Sequence, residues 1–93
     1  MKMPKVLDCD MTDCAYNRDK KCHALAITVG SPCAMCDTYL HSARKGGVDD
    51  ETGGVGACRM ADCAANVDLE CTAKGIHVKH HGKHPDCASF KPR

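Results

Sequence analysis

The chain has 93 residues, a formal net charge of +1 and three aromatic side chains, and nine of its residues are cysteine. So little positive charge and so few aromatic rings argue against a nucleic-acid-binding surface, and no apolar segment is long enough to span a membrane. Only 15 residues are Val, Leu, Ile, Phe or Tyr, which is too few for a hydrophobic core to stabilise the chain without cross-links.

Eight of the cysteines form two copies of one pattern. Each copy has the spacing C-x4-C-x7-C followed by a fourth, later cysteine. The first copy consists of Cys9, Cys14, Cys22 and Cys36, and the second consists of Cys58, Cys63, Cys71 and Cys87. Aligning residues 9–29 with 58–78 gives 11 identical positions of 21, with a period of 49 residues. An internal repeat of this kind predicts two small tandem modules.

The elements of each module follow the same order. The first two cysteines enclose a polar segment, residues 10–13 or 59–62, that fits either one helical turn or a plain loop. Asn17 and Asn66 follow the second cysteine and are predicted to adopt the left-handed conformation that ends such a turn.

An extended segment comes next in each module, over residues 22–29 and 71–78. Its alternating pattern predicts a strand that forms one arm of a hairpin. The return arm is expected at residues 36–39 and 87–90, where Tyr39 and Phe90 would cover each small core.

Residues 41–54 contain four glycines and mixed charges, which predicts a flexible linker. The predicted domains are therefore a four-cysteine module over 5–40, the linker over 41–54 and a second module over 55–92. The expected fold class is a small metal-dominated protein of two tandem modules. Each module would be a short β-hairpin with loops and, where the polar segment is helical, one helical turn.

Metal ions are favoured over disulfides as the cross-links. The N-terminus has no apolar run of the length that a secretory signal peptide requires, so we expect a cytoplasmic protein with reduced thiols. An odd number of cysteines also fits complete pairing poorly. Four thiolates satisfy the tetrahedral coordination of Zn²⁺, so we predict two zinc ions, one bound by the four cysteines of each copy. Iron or an iron–sulfur cluster has the same ligand count and stays an alternative.

Five further residues are candidate additional metal ligands. The cysteine among them completes a CxxC, which we interpret as a spare ligand because no thioredoxin-like βαβ pattern surrounds it. The histidines form a tract that fits a weaker site for Zn, Ni or Cu as well as a plain solvated loop. These candidates are Cys33, His77, His80, His81 and His84.

Charge and the lack of catalytic motifs limit the functions expected. Each Zn²⁺ bound by four thiolates adds a charge of −2, so two sites change the net charge from +1 to −3. We predict no nucleic-acid binding, no membrane association and no enzymatic activity, because no acid–base pair, activated nucleophile or phosphate-binding loop is discernible. The leading hypothesis is a tandem zinc-binding protein with a structural or interaction role and an unidentified protein partner. Metal storage, buffering or transfer is one alternative, and iron–sulfur electron transfer is another.

The motif C-x4-C-x-x-N-x4-C-x-A-x-x-I-x-V, followed by a cysteine three residues ahead of an aromatic residue, resembles the bacterial repeat known as domain of unknown function 1540. The first copy matches through Cys9, Cys14, Asn17, Cys22, Ala24, Ile27, Val29, Cys36, Thr38 and Tyr39. The second copy matches through Cys58, Cys63, Asn66, Cys71, Ala73, Ile76, Val78, Cys87, Ser89 and Phe90. The departures are a Tyr for the usual Phe, a Ser for Thr, the extra cysteine and the histidine-rich insertion. The resemblance implies a cytoplasmic bacterial protein and a metal-binding module with four cysteine ligands, and it implies no reaction.

Overall fold

Short β-strands make up all of the regular secondary structure in residues 3–93, the part of the chain that this computed structural model describes. The strands of the first repeat are β1 (Lys5–Cys9), β2 (Asn17–Arg18), β3 (Lys21–Cys22) and β4 (Ala26–Val29). The strands of the second repeat are β5 (Gly54–Cys58), β6 (Asn66–Val67), β7 (Glu70–Cys71), β8 (Gly75–His81) and β9 (His84–Cys87). The small, strand-rich fold predicted from the sequence is therefore confirmed.

Five of the strands form one sheet, in the order β4-β5-β1-β8-β9. Most neighbours in this sheet come from different repeats, because β1 runs parallel to β8 and β5 runs parallel to β4. The two equivalent strands β1 and β5 meet antiparallel at the centre, where Lys5 pairs with Gly54. Each repeat thus places its first strand, β1 or β5, beside a later strand of the other repeat, β8 or β4, and the two repeats build one sheet together.

A β-bulge in each parallel pair determines which residues face the interior. The register shifts after Val6 in the pair of β1 with β8, and it shifts at the equivalent place in the pair of β4 with β5. One extra residue interrupts the two-residue alternation of a strand, so Val6 and Cys9 are both buried although they are three positions apart. Val55 and Cys58 repeat this arrangement in β5. The bulges therefore turn the first cysteine of each repeat towards the core.

Residues 33–37 join the two outer strands of the sheet. Cys36 is bridged to Val29 at the end of β4, and Met35 is bridged to Asp86 in β9. The sheet thus closes on itself through this segment, which covers backbone groups that an open edge would expose.

A single buried cluster fills the interior, and both repeats contribute to it. The cluster includes the wholly buried Val6 and Ile76 together with most of the repeated cysteines. Tyr39 and Phe90 pack against it, as predicted, but they cover one shared core and not two separate ones. The buried cysteines are Cys9, Cys14, Cys22, Cys58, Cys63 and Cys71, with Cys36 and Cys87 partly buried against them.

Two-residue hairpin loops join β2 to β3 and β6 to β7, and the sequence patterns did not predict them. Asp19 and Lys20 have positive φ angles of 53° and 64°, and Asp68 and Leu69 have 53° and 66°. Two consecutive left-handed residues form the type I′ turn, whose twist matches that of the flanking strands. No glycine marks these loops, which explains why they were missed.

Asn17 and Asn66 lie in β2 and β6, so the left-handed conformation predicted for them is wrong. Both side chains are buried, and their amides hold the hairpin against the first cysteine of the repeat. Asn17 Nδ2 donates to the carbonyl oxygen of Cys9 at 2.8 Å, and its Oδ1 accepts from the backbone nitrogen of Lys20 at 3.2 Å. The corresponding distances around Asn66 are 2.9 and 3.0 Å. Each amide therefore satisfies two backbone groups that the tight loop leaves unpaired.

The other predicted elements are present in altered form. Residues 10–13 form a turn, with a hydrogen bond of 3.0 Å from Cys14 N to Met11 O, and not a helical turn, since one turn alone is too short to be a stable helix. The strand predicted over 22–29 is divided, because Leu25 is 68% exposed and β4 begins only at Ala26. A hairpin forms in the second repeat, where β8 pairs with β9, but its return arm is His84–Cys87 and not the predicted 87–90. In the first repeat the pairing is reduced to one bridge.

Residues 41–53, which the sequence predicts to be a linker, form no strand but contact the first repeat. Gly46 N donates to Ala15 O at 2.8 Å, and Val48 N donates to His23 O at 2.9 Å. The division into 5–40, 41–54 and 55–92 stays a prediction. Within the described part of the chain, no helix has the length and apolar character needed to cross a membrane.

Candidate metal sites

The four cysteines of the first repeat line one small cavity. They reach it from the end of β1, the turn after it, the end of β3 and the segment that closes the sheet. The cavity encloses about 20 Å³, which is room for about one water molecule. Its thiol-bearing residues are Cys9, Cys14, Cys22 and Cys36.

The second repeat builds an equivalent cavity of about 20 Å³. Met60 and Phe90 line it in the places that Met11 and Tyr39 occupy in the first cavity. The identical methionines in the aligned repeats were the available sequence signal for this role, which our sequence reasoning did not use. The thiol-bearing residues of the second cavity are Cys58, Cys63, Cys71 and Cys87.

Each cavity also has walls from the other repeat. Val78 and Pro85 of the second repeat line the first cavity, and Val29 and Ala34 of the first repeat line the second. Backbone hydrogen bonds fix these walls, for example from Asp10 N to Val78 O at 2.9 Å. Neither set of four cysteines is therefore enclosed by its own repeat alone.

Burial raises the pKa of several of these thiols. Desolvation raises the pKa of Cys36 to about 12 and raises those of Cys9 and Cys22 above their ordinary value. The same cause raises the pKa of Cys71 and of Cys87 in the second cavity. Repulsion from the neighbouring sulfurs of the same set adds to the effect of burial. Without metal, these five thiols are therefore held protonated, and a cation that binds them must displace their protons.

The sulfur atoms surround the cavities without forming a finished coordination site. All nine cysteines are free thiols. Among residues 3–93, no group of three or more histidine, cysteine, aspartate or glutamate side chains is already placed to hold one ion. The donor set still fits Zn²⁺, because four thiols around a space for one small particle match the closed tetrahedral site that this ion forms in proteins.

The rims of the two cavities differ in charge. Beside the first cavity, the carboxylate of Asp13 accepts a hydrogen bond of 2.7 Å from Tyr39 Oη, and His41 Nε2 lies 3.6 Å from the same oxygen. His41 is also bridged to Cys14. At the corresponding place in the second repeat, Pro92 is bridged to Cys63, and the next residue, Arg93, donates to backbone carbonyls. The first rim thus carries an imidazole beside Asp13 together with the Lys45 ammonium, which donates to Cys14 O at 3.1 Å, while the second has a guanidinium group.

The additional candidates lie outside both cavities. Cys33 is exposed and lines neither cavity. His77 Nδ1 is 2.9 Å from Asp8 Oδ1, so this histidine links β8 to β1. The remaining three, His80, His81 and His84, are exposed on the hairpin of β8 and β9.

Comparison with protein families gives one match that covers most of the chain. The model of the family described as Domain of Unknown Function (DUF1540) matches twice, at residues 7–51 and 57–90. Comparison with curated proteins and with solved structures finds no match.

Proposed function

We propose that this chain, which belongs to the DUF1540 family through both of its repeats, is a non-catalytic protein that binds two ions of the zinc type. One ion would occupy each four-cysteine cavity and stabilise the fold there. The observation that carries this proposal is that equivalent cysteines of both repeats, four in each, line two cavities of equal size. Coordination by four thiolates leaves no open position for a substrate or for water, which supports a structural and not a hydrolytic role.

The size of the cavities favours single ions. About 20 Å³ accommodates one ion or one water molecule, whereas a cluster of several iron and sulfide ions needs more room between the same sulfurs. A single ferrous ion would fit as well as Zn²⁺, so the identity of the ion is decided by ligand preference. Thiolate ligands in a closed tetrahedron are typical of structural zinc.

The chain's own residues prepare each site. Asn17 and Asn66 hold the hairpin against the first cysteine of each repeat. Apolar walls exclude water from the sulfurs, and Zn²⁺ would supply cross-links between strands that are distant in sequence. Reduced thiols require a reducing compartment, which supports the cytoplasm of a bacterial cell as the location. The partner we propose is a protein and not nucleic acid or membrane.

Elemental analysis and native mass spectrometry of anaerobically purified full-length protein test this proposal. The informative pair is Cys36→Ser, which removes a cavity thiol, and Cys33→Ser, which removes a thiol of the same CxxC outside the cavity. We expect two zinc ions per chain in the wild type and in C33S, and a weakened or lost first ion in C36S. A wild-type chain without metal, with paired sulfurs, or with equal losses in the two variants would contradict the proposal.

Metal storage or transfer is a second candidate, because Cys36 and Cys87 are less buried as residues than the other six cavity cysteines. Competition with a chelator separates the two roles. Slow release supports a structural role, and fast, graded release supports transfer. A brown colour in the anaerobic preparation would instead identify an iron–sulfur protein.

A further inference from the structure

The hairpin of β8 and β9 has a histidine-bearing tip that the first repeat lacks. The stretch between Val78 and Cys87 is two residues longer than that between Val29 and Cys36, and β8 extends to His81 where the shorter β4 ends at Val29. Pro85 and Asp86 of this stretch contact the first repeat, whereas the exposed His81 and His84 lie at the tip of the hairpin. Their arrangement therefore calls for another explanation.

The strand register divides the polar residues of the tip between the two faces of the hairpin. His81 pairs directly with His84, and Lys79 pairs with Asp86. Directly paired residues share a face, as do residues two apart on one strand. His81, His84 and Asp86 therefore lie on one face, and His80, which pairs with Pro85, lies on the other.

The two imidazoles and the carboxylate lie near one another, and a rotation of the exposed His81 side chain is needed to bring them around one ion. Directly paired residues of an antiparallel hairpin have Cβ atoms about 4.5–5.5 Å apart, and an imidazole nitrogen binds zinc-like ions at about 2.0–2.1 Å. His81 Nδ1 already lies 3.5 Å from Asp86 Oδ2. The His81 side chain is 81% exposed, so it can turn towards an ion between the rings without disturbing the core.

The carboxylate of Asp86 lacks the partners that a mostly buried charge usually has. Its side chain is 21% exposed, and its Oδ1 atom is buried without a hydrogen-bond partner. Lys79, which pairs with it across the hairpin, has its ammonium group 3.9 Å from Asp8 and from Asp10. A cation bound beside His81 and His84 would supply the missing compensation.

From this geometry we infer that His81, His84 and Asp86 form a binding site for a divalent transition-metal ion, separate from the cysteine cavities. Two imidazoles with one carboxylate suit Ni²⁺, Cu²⁺ or Zn²⁺, whereas Ca²⁺ and Mg²⁺ prefer oxygen ligands alone. The site is open to solvent and has few ligands, so it exchanges its ion faster than a closed thiolate site. It does not depend on the function proposed for the cysteines.

Titration with Ni²⁺ of the ¹⁵N-labelled protein, loaded with two equivalents of Zn²⁺ and freed of excess zinc, tests the site, with the histidine ring signals observed by NMR. We expect paramagnetic broadening of His81 and His84 at Ni²⁺ concentrations that leave His23 and His41 unchanged. His84→Ala should raise the Ni²⁺ concentration that half-broadens His81 by about tenfold or more, since even the loss of an outer partner weakens metal sites by about 10–100-fold.

His80→Ala is the matched control, because it removes a histidine from the same tip on the opposite face and should leave the response of His81 unchanged. Simultaneous broadening of all six histidines, or equal effects of H80A and H84A, would overturn the inference. The ring signals report on this site itself. Its failure is therefore distinguishable from a failure of the cysteine cavities to hold zinc.

Discussion

Two neighbouring inward-facing residues of one strand, Ile76 and Val78, are expected to protect different sets of cysteines. Both are buried in β8 of the second repeat. Ile76 lines the cavity of its own repeat, whereas Val78 lines the cavity of the first repeat. We therefore predict that Val78→Ala exposes the thiols of the first repeat and that Ile76→Ala exposes those of the second.

The size of the effect follows from burial. Val78 is 2% exposed, and its replacement by alanine removes about two methylene equivalents at about 0.8 kcal/mol each, plus a smaller contribution from the cavity left behind. The sum of about 2 kcal/mol corresponds to about a 30-fold increase in the opening equilibrium of the affected site. Ile76→Ala removes more and should have a somewhat larger effect.

Alkylation rates of individual cysteines, measured by peptide mass spectrometry on the protein as purified, check this prediction. In V78A the four thiols of the first repeat should react faster than those of the second, and in I76A the order should reverse. The equivalent pair in β4 supplies an independent control, because Val29 lines the second cavity and Ile27 the first. Equal acceleration of all eight thiols in V78A, or faster reaction of the second repeat, would refute the shared-wall geometry.

Three further predictions concern single side chains. The variant Tyr16→Phe leaves Tyr39 as the one tyrosine. In this variant, ultraviolet titration should give a Tyr39 pKa of about 12, because its hydroxyl donates to the Asp13 carboxylate. The further substitution Asp13→Asn should lower the Tyr39 pKa. Because the Tyr39 pKa is raised, this hydrogen bond stabilises the fold below about pH 10, and its contribution is lost as the pH rises towards 12. Titration of Tyr39 near pH 10 in the folded protein would contradict the prediction. Leu69→Gly should raise the free energy of unfolding by about 0.5–1 kcal/mol, because Leu69 has a left-handed backbone conformation that glycine adopts without steric strain, and its side chain is 52% exposed. A loss of stability in denaturant melts would argue against the type I′ turn. Asn66→Ala should lower the same free energy by roughly 2–4 kcal/mol, because two backbone groups lose their partner, and an unchanged melt would show that its amide is dispensable.

Local repetition made part of this arrangement predictable from sequence. The alignment of the two copies assigned four cysteines to each set, and the structure gathers each set around one cavity. Their role as metal ligands stays a prediction. The alternation at Ile27 and Val29 likewise predicted β4, because period two is a property of a single strand.

Features that depend on two distant segments were not predictable in this way. The strands β1 and β5 were not predicted, because a bulge interrupts the two-residue alternation of each. No local pattern specifies that each pairs with strands of the other repeat. The sequence patterns did not predict the tight hairpins, because Asp19 and Lys20 occupy left-handed positions at which glycine is the usual sequence signal. The role of Asn17 depends on the carbonyl of Cys9, whose position becomes known only once β1 is placed.

Strand exchange makes the two repeats dependent on each other for their stability. Residues 3–53 alone would leave β1 without β8 and β4 without β5, so both strands would present unpaired edges, and the first cavity would lose the walls formed by Val78 and Pro85. Covalent connection supplies the second repeat at a high effective concentration. A ligand that binds in one cavity would also order the residues that form walls of the other cavity. This coupling would act equally in both directions. The two repeats are therefore expected to depend on each other for complete strand pairing and complete cavity walls.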